Sequence, residues 1–343
     1  MIDDPTSKVV IQPTLFKSTA ISAAELLERK IKPREKIIGT WLKQGDIGLV
    51  FGRRGEGKTF FSLALACAIA GNIKLNLWDT PKARRVCYVD GEMPLESIQD
   101  RLKLFLSADI FVNSQEALKI NLYFQHYEEI AEKVENASLD LSKEEQQTEL
   151  LKYCLDNKIE VLFLDNLSCL FRGVRENEAD DWERVQPFLL NCRRNKISVI
   201  LVAHAGRSGE APRGTSKRED ITDWIIKVKQ SENGAEQSES NNIKQSSFKI
   251  SFEKNREGHL DEVSPQGFIF TTQDGQMKIK FVKENIEEQF FGLVESGVNK
   301  CGELAEWLGY SKAYISRLAN KYVKAGKLEI VGRSYKSKRI YNN

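Results

Sequence analysis

The chain has 343 residues, of which 41% are hydrophobic and 29% charged, and its formal net charge is +2. This composition is typical of a globular protein of about two domains and excludes collagen-like and disordered classes. No apolar run approaches the ~18 residues of a membrane span, and no positively charged start leads into an apolar stretch, so we expect no membrane anchor and no signal peptide. The six cysteines form no C-x-x-C pair. This disfavours a zinc site or a disulfide framework, so we expect reduced thiols and a cytoplasmic location.

Positive charge is concentrated near the C-terminus. Residues 286–343 contain 10 Lys or Arg and 6 Asp or Glu, a net charge of +4, which leaves 2 − 4 = −2 for the rest of the chain. Within residues 311–343, nine basic residues stand against one acidic residue. A basic segment on a nearly neutral body is the charge distribution expected of a module that contacts nucleic-acid phosphates.

The first half of the chain alternates between predicted helices and strands. Ser22 and Glu25 form the S-x-x-E pattern of a capping box and predict a short helix over 22–30. Further on, apolar runs predict strands at 46–51, 85–90 and 120–124 and helices at 60–70 and 94–107. Residues 128–149, with eight acidic and two basic side chains, predict a solvated helix–loop insertion.

The second half continues the alternation and then changes character. We predict a helix at 150–156, apolar strands at 161–165 and 198–203, and a helix at 182–191. Buried strands that alternate with helices indicate an α/β fold with a mostly parallel sheet covered on both faces. The Ser-, Asn- and Gln-rich segment 230–247 reads as a mobile loop. Strands at 248–252, 267–271 and 277–281 then predict an antiparallel edge, and we place the domain boundary between 1–285 and 286–343.

A phosphate-binding loop lies between the first long strand and the first long helix. The pattern G-x-x-x-x-G-K-[ST] is matched by Gly52, Arg53, Arg54, Gly55, Glu56, Gly57, Lys58 and Thr59. The glycines let backbone N–H groups turn toward the β-phosphate, and the helix N-terminus adds its dipole. We expect ATP to contact this loop as far as Phe60, Lys58 to reach the β- and γ-phosphates, and Thr59 to bind Mg²⁺. The alternative, a chance glycine-rich loop, is disfavoured by the flanking strand and helix.

Two carboxylates follow strands and suit the chemistry of hydrolysis. Asp165 ends the apolar strand VLFLD, where a carboxylate holds Mg²⁺ directly or through water. Glu92 lies just past the second strand, in the sequence DGEMP, and a carboxylate there could activate the attacking water. The alternatives are an ordinary strand-end aspartate and an N-cap or surface glutamate.

Taken together, five segments resemble the RecA-like ATPases, and in particular the RepA-type hexameric replicative helicases of plasmids. These segments are GRRGEGKT, YVDGEMP, VLFLDN, VILVAHAGRSG and RGTSKREDITDW. The resemblance extends over residues 35–282. It implies an ATP- and Mg²⁺-dependent DNA helicase that acts as a hexameric ring with single-stranded DNA in its channel. The acidic insertion and the C-terminal segment depart from the small plasmid helicases.

The resemblance also implies roles for individual residues. Glu92 matches the catalytic base, and His204 matches the residue that senses the γ-phosphate. Lys254 and Arg256 resemble the K-x-R element that reaches a neighbour's nucleotide, where a guanidinium stabilises charge in the transition state. Residues 206–220 match the loop that touches DNA, with basic residues Arg207, Arg213, Lys217 and Arg218. The alternatives are a core histidine, a solvated basic pair and a solvated loop.

The C-terminal segment has the spacing of a winged helix. Helices at 301–308 and 311–325, the second capped by Ser311, precede strands at 328–331 and 338–341 around 332–337. The outer face of the second helix is expected to carry Tyr314 among polar residues. The residues expected to contact duplex DNA are Lys312, Arg317, Asn320 and Lys321 on the helix and Lys336, Lys338 and Arg339 on the wing. The alternative is a winged helix that contacts protein.

Two functions are compatible with these motifs. The first is an ATP-driven ring motor on DNA, a replicative helicase or close relative. The second is an ATP-regulated DNA-binding protein, a loader or regulator, that does not unwind DNA. ATP-dependent strand displacement on a forked duplex distinguishes them.

Overall fold

A computed structural model describes most of the chain. The described residues are 19–135, 137–172, 182, 184–206, 209, 211–212, 217–231, 237–238, 243–259, 261–283, 286–308, 310 and 312–338, and at 217–218, 237–238, 243–245 and 283 only the backbone is described. Residues 1–34 form a unit of their own, and residues 35–343 form the other. In the first unit, α1 (Ala23–Glu28) begins with the predicted capping box, in which the Ser22 hydroxyl and the Glu25 carboxylate each accept the other's backbone N–H.

The second unit is built on one large sheet. The strands are β1 Lys36–Ile38, β2 Leu42–Lys43, β3 Ile47–Gly52, β4 Val86–Asp90, β5 Leu122–His126, β6 Val161–Asp165, β7 Ser198–His204, β8 Trp224–Gln230, β9 Gln237–Ser238, β10 Ile243–Asn255, β11 Gln266–Gln273, β12 Gln276–Lys283, β13 Leu328–Val331 and β14 Ser334–Ser337. The large sheet has the order β12-β11-β10-β8-β3-β7-β6-β4-β5, with β9 beside β10. The six strands from β8 to β5 are parallel, and β9 to β12 extend the sheet in antiparallel fashion.

Helices cover both faces of the parallel part. Within the second unit they are α2 Lys58–Gly71, α3 Leu95–Ser107, α4 Gln115–Asn121, α5 Tyr127–Lys133, α6 Glu144–Asp156, α7 Leu167–Leu170, α8 Gln186–Arg194, α9 Lys217–Ile221, α10 Ile286–Glu295, α11 Cys301–Leu308 and α12 Lys312–Lys324, with a 3₁₀ helix at Asp109–Ser114. One buried cluster gathers α2 with the 3₁₀ helix and the antiparallel strands, and a second gathers α6 and α8 on the other face. The predicted α/β fold with a mostly parallel sheet is confirmed.

Two sequence predictions for surface segments are corrected. Residues 230–247 are not all loop, because β9 and the first residues of β10 extend the sheet there. The acidic insertion 128–149 is not wholly solvated either. Leu139 and Leu141 are buried in the core cluster beside α6, and Ile130 packs against it, because these apolar side chains gain by leaving water.

The C-terminal segment contains three helices and a hairpin around its own buried cluster. Helix α10 was not predicted, although Ile286, Phe290, Phe291 and Val294 follow a helical spacing and are all buried. Strand β14 lies within the predicted loop 332–337, and residues 339–341 of the predicted second wing strand, 338–341, lie outside the described residues. Val331 pairs with Ser334, so the hairpin turns tightly over two residues, and Gly332 takes the positive φ of 64° that such a turn requires. The predicted cap Ser311 lies outside the described residues.

Aromatic packing fixes the centre of the sheet. Trp224 of β8 lies against Trp41, with ring centroids 4.8 Å apart, and its indole covers Gly48 of β3. A Cβ on Gly48 would lie only 2.0 Å from that ring. The close approach therefore requires a glycine in the middle of a central strand.

This packing generates a stability prediction. We expect Gly48→Ala to lower the free energy of unfolding by about 1–3 kcal/mol, because the buried indole must move to admit a methyl group. Urea denaturation followed by tryptophan fluorescence measures the change. Gly292→Ala is the matched control, since a Cβ there meets nothing within 4 Å. Equal midpoints for the two variants would contradict the prediction.

Candidate nucleotide-binding site

The loop between β3 and α2 is shaped by its glycines. Gly55 and Gly57 have φ angles of 80° and 83°, a region that glycine enters without steric cost. A Cβ on Gly57 would also lie 2.2 Å from the Phe248 ring. Both positions therefore require glycine, and the chain turns into α2 with its first N–H groups pointing toward the loop.

Lys58 is drawn into this loop. Its Nζ donates to the carbonyl oxygen of Arg53 at 2.8 Å, and the side chain is buried. Burial lowers the pKa of Lys58, while the charges of Asp165, Glu92 and Glu56 act in the opposite direction. The ammonium therefore lies among three carboxylates at the start of α2. Glu56 also accepts the N–H of Arg53, whereas the side chains of Arg53 and Arg54 are exposed.

Asp165 is fully buried at the end of β6 and is held by two hydroxyl groups. The Tyr88 hydroxyl donates to its Oδ2 at 2.6 Å, and Thr59 forms a second side-chain hydrogen bond with it. Burial and the nearby charge of Asp90 raise the pKa of Asp165 to about 6, against the effect of these two hydrogen bonds. A hydroxyl and a carboxylate in contact are suitable Mg²⁺ ligands, because Mg²⁺ binds few protein oxygens and completes its shell with waters and phosphates.

Glu92 is positioned by a tight turn after β4. The Asp90 carboxylate accepts the backbone N–H groups of Glu92 and Met93 at 2.9 and 2.8 Å, and burial raises the pKa of Asp90 to about 6. The side chain of Glu92 is 49% exposed, and its Oε2 accepts a hydrogen bond from Asn166 Nδ2. The carboxylate is thus held by the protein and open to solvent at once.

His204 ends β7, next to the loop. It pairs in register with Gly52 of β3, and its Nε2 lies 3.9 Å from Glu92 Oε2 and 3.4 Å from Asn166 Nδ2. Five of the six residues predicted to carry the chemistry are therefore brought to one edge of the sheet, which is formed by the carboxyl ends of the parallel strands. They are Lys58, Thr59, Glu92, Asp165 and His204.

Two polar residues of this edge, Tyr88 and Asn166, were not predicted to belong to the site. Tyr88 lies within an apolar strand and is typical of a core aromatic residue, so nothing local distinguishes it. Asn166 directly follows Asp165, and a polar residue after a strand-end aspartate was the available indication. Phe60 was expected to be the last residue of the loop that contacts ATP. Its ring packs against Phe105 and Phe270 at 4.8 and 4.7 Å, so only its backbone faces the loop.

Lys254 and Arg256 lie at the opposite edge of the sheet from the phosphate loop, the edge at which the parallel strands begin. Arg256 donates to the Asp223 carboxylate at 3.3 Å and to the Asp220 carbonyl at 3.1 Å. Asp223 in turn accepts the N–H of Ile47, the first residue of β3. Lys254 donates to the Glu219 carbonyl, and burial lowers its pKa. The length of β3, roughly 16 Å, separates this edge from Gly52.

The predicted DNA loop 206–220 is described only in part. Arg207 and Arg213 lie outside the described residues, as do the side chains of Lys217 and Arg218. The backbone of 217–220 belongs to α9, so this end of the segment is helical. A Cβ on Gly209 would lie 2.3 Å from the Arg53 side chain, which places Gly209 against the phosphate loop.

Helix α12, the second of the two helices predicted for the C-terminal segment, exposes most of its predicted polar face. Lys312, Asn320 and Lys321 are exposed and Arg317 is half-buried. Tyr314 was expected on this face but is buried, because it packs against Tyr310 with ring centroids 5.1 Å apart. On the wing, Lys336 and Lys338 are exposed, Lys338 pairs with Glu329 at 3.2 Å, and Arg339 lies outside the described residues.

This segment also contacts the sheet. Lys249 of β10 lies 3.8 Å above the centre of the Tyr310 ring and donates to the Leu308 carbonyl at 3.4 Å. Lys321 of α12 pairs with Asp261 at 3.0 Å. Because exposed ion pairs contribute only about 0–1 kcal/mol, the Lys321 contact is weak.

No helix in the described part of the chain is long and apolar enough to cross a membrane.

Comparison with known proteins places the chain in a family. A KaiC-like protein from the hyperthermophilic archaeon Pyrococcus horikoshii has a solved structure similar to this chain, with a TM-score of 0.44, 14% identity and alignment over 70% of this chain and 91% of that one. No curated protein matches the sequence significantly. A family model described as an AAA domain matches residues 12–210, more than half of the chain. The chain therefore belongs to the AAA domain family.

Proposed function

We propose that this protein hydrolyses ATP to drive movement along DNA, as a ring-forming replicative helicase or a close relative. The observation that carries the proposal is the division of charged residues between the two edges of the sheet. Lys58, Thr59, Asp165 and Glu92 gather at the carboxyl edge, and Arg256 lies at the other. If the ATPase site needs both sets of residues, one edge must come from each of two neighbouring copies of the chain.

Binding of ATP follows from the phosphate loop. The ammonium of Lys58 now bonds a neutral carbonyl, and the β- and γ-phosphates offer it a stronger, anionic acceptor. The N–H groups at the start of α2 and the positive end of its dipole add to the attraction.

Hydrolysis follows from the carboxylates. Thr59 and Asp165 would hold Mg²⁺, which neutralises charge on the phosphates when bound. Glu92 is half-exposed beside them and accepts a proton from the attacking water as general base. Asp90 is not free for that role, because its carboxylate already accepts the N–H groups that build the turn.

A neighbouring copy would complete the site with Arg256. This side chain is 48% exposed, and Asp223 and the Asp220 carbonyl fix its direction. It cannot reach the phosphate loop of its own chain across the length of β3. A guanidinium supplied by the adjacent subunit stabilises charge on the γ-phosphate in the transition state, and head-to-tail contacts of this kind form a ring when the rotation between subunits closes.

DNA binding rests on the C-terminal domain, residues 286–343, and on the basic segment 206–220. The exposed Lys312, Asn320 and Lys336 suit a helix in the major groove and a wing on the phosphates. Single-stranded DNA would pass along the 206–220 segment in the ring channel, since that segment adjoins the nucleotide site through Gly209 and Arg53.

A second candidate is an ATP-regulated DNA-binding protein, a loader or regulator without unwinding activity. It is favoured by the contacts of Lys249 with the Tyr310 ring and the Leu308 carbonyl, which join the C-terminal segment to the ATPase sheet. ATP-dependent strand displacement on a forked duplex decides between the two. Displacement supports the motor, and ATP-dependent duplex binding without displacement supports the regulator.

The first prediction separates nucleotide binding from chemistry. We expect Lys58→Ala to lose ATP affinity, because it removes the cation from the phosphates. Glu92→Gln should retain ATP and slow turnover by about 10²–10⁴-fold, the usual effect of losing a general base. Fluorescent-nucleotide binding and phosphate release measure the two effects. Glu96→Gln, an exposed glutamate on α3, is the matched control. If Glu92→Gln turned over ATP at the wild-type rate, Glu92 could not be the general base.

The second prediction concerns the shared site. Arg256→Ala should abolish most turnover and leave ATP binding to an isolated subunit intact, whereas Arg194→Ala, at an exposed position on α8, should do neither. Mixing Arg256→Ala with Lys58→Ala subunits recreates intact interfaces, and we expect about a quarter of wild-type activity in a random one-to-one mixture if interfaces act independently. Absence of recovery in a confirmed mixed ring would exclude a finger that acts across subunits.

The third prediction concerns duplex binding by the full chain. We expect Lys336→Gln to weaken binding for every sequence and to reduce the slope of log affinity against log salt by about 0.9, because one phosphate contact is lost. Asn320→Ala should instead change the preferred sequence, since its amide can read a base edge. Lys119→Gln, on the exposed side of α4, is the control. An unchanged slope for Lys336→Gln would place the wing away from DNA.

A further inference from the structure

Asn166 joins three parts of the candidate site, although the sequence analysis gave it no role within the segment VLFLDN. It follows Asp165 on β6, its side chain is 1% exposed, and its amide nitrogen contacts both Glu92 and His204. Glu92 is 74 residues and His204 38 residues away in sequence. A buried amide at this junction must satisfy its donors and acceptor locally.

The orientation of the amide is set by the short helix that follows. Asn166 is the N-cap of α7, and its Oδ1 accepts the backbone N–H of Cys169 at 3.2 Å. With the oxygen turned to that donor, the nitrogen must point the other way, which resolves the usual ambiguity between the two amide atoms. The nitrogen then offers one hydrogen to the Glu92 carboxylate.

The second hydrogen of the amide faces His204. Nε2 of that ring lies 3.4 Å from Asn166 Nδ2 and 3.9 Å from Glu92 Oε2. The three groups thus form a compact triangle in which the amide contacts the other two. In its neutral form the ring can accept that hydrogen through a lone pair on Nε2.

We propose that Asn166 is a positioning residue of the ATPase site, which holds the Glu92 carboxylate in place and links its orientation to that of His204. The inference rests on the proposed function, because it assumes that Glu92 is the base. Asn166 itself touches neither water nor phosphate in this role. It acts through Glu92, whose half-exposed carboxylate would otherwise rotate freely about its side-chain bonds.

The test separates this role from the helix cap. Asn166→Ser keeps a good N-cap but removes the amide donor, so the thermal midpoint should stay near that of the wild type. We expect kcat to fall about ten- to hundredfold with an unchanged KM for ATP, the size of a lost hydrogen bond to a charged group. Asn191→Ser, on the exposed side of α8, is the matched control and should behave as the wild type.

A second variant gives a readout that a structural role would not move. Asn166→Asp keeps the cap and places a carboxylate against Glu92. Two adjacent carboxylates resist double ionisation, so the acid limb of the kcat–pH profile should shift upward by about one unit. The acid limb of the Asn166→Ser profile should move upward by less, at a lower height, because that variant loses only a hydrogen bond to the ionised carboxylate.

The double variant Glu92→Gln, Asn166→Ser completes the design. If Asn166 acts through Glu92, the double variant turns over at the rate of Glu92→Gln alone, because the two effects are not additive. Full additivity, or wild-type kcat in Asn166→Ser while Glu92→Gln is slow, overturns the positioning role and leaves the proposed function standing. Wild-type turnover in Glu92→Gln overturns the proposed function first.

Discussion

The candidate site depends on the register of four parallel strands. Gly52 of β3 pairs with His204 of β7, and Asp90 of β4 pairs with Asp165 of β6. Because parallel strands present their carboxyl ends at the same edge, these pairings bring residues from far-apart positions in the chain level with one another. A shift of one residue in any of these pairs would turn its terminal side chain to the other face of the sheet. The apolar runs that fix this register therefore also fix the chemistry.

The same convergence has an electrostatic cost. Asp90 and Asp165 are both buried, and the pKa of each is raised to about 6. Hydroxyl groups, backbone N–H groups and the ammonium of Lys58 offset part of this cost within the protein. A divalent cation at Thr59 and Asp165 would bring the raised pKa of Asp165 back down, since the cation favours the ionised carboxylate. Buried negative charge at this edge therefore favours binding of ATP together with Mg²⁺ over binding of the nucleotide alone.

Local motifs were predictable from the sequence, and contacts between distant segments were not. The phosphate loop, the strand that ends at Asp165 and the cap at Ser22 are each specified within about eight residues, and each was found where expected. Asn166 could be placed after a strand, but its contact with Glu92 depends on the order of β4 and β6 in the sheet. Tyr314 was assigned to an outer face by helical periodicity, which cannot reveal that Tyr310 would cover it. The position of β14 was missed for a different reason. The segment 332–337 was predicted to be a six-residue loop, whereas the chain turns tightly at Gly332 and β14 begins two residues later.

Strand β10 connects the two edges of the sheet and contacts the C-terminal segment. Phe248 lies against Gly57 of the phosphate loop, and the next residue, Lys249, contacts Tyr310 and the Leu308 carbonyl. Adjacent residues of a strand face opposite sides of a sheet, so one short segment touches the loop on one face and the C-terminal helices on the other. The same strand ends at Asn255, directly before Arg256 at the far edge. Under the proposed function, the nucleotide, the neighbouring subunit and the DNA-binding domain would each act on this one strand, and its stiffness as an internal strand of the sheet limits how independently they can move.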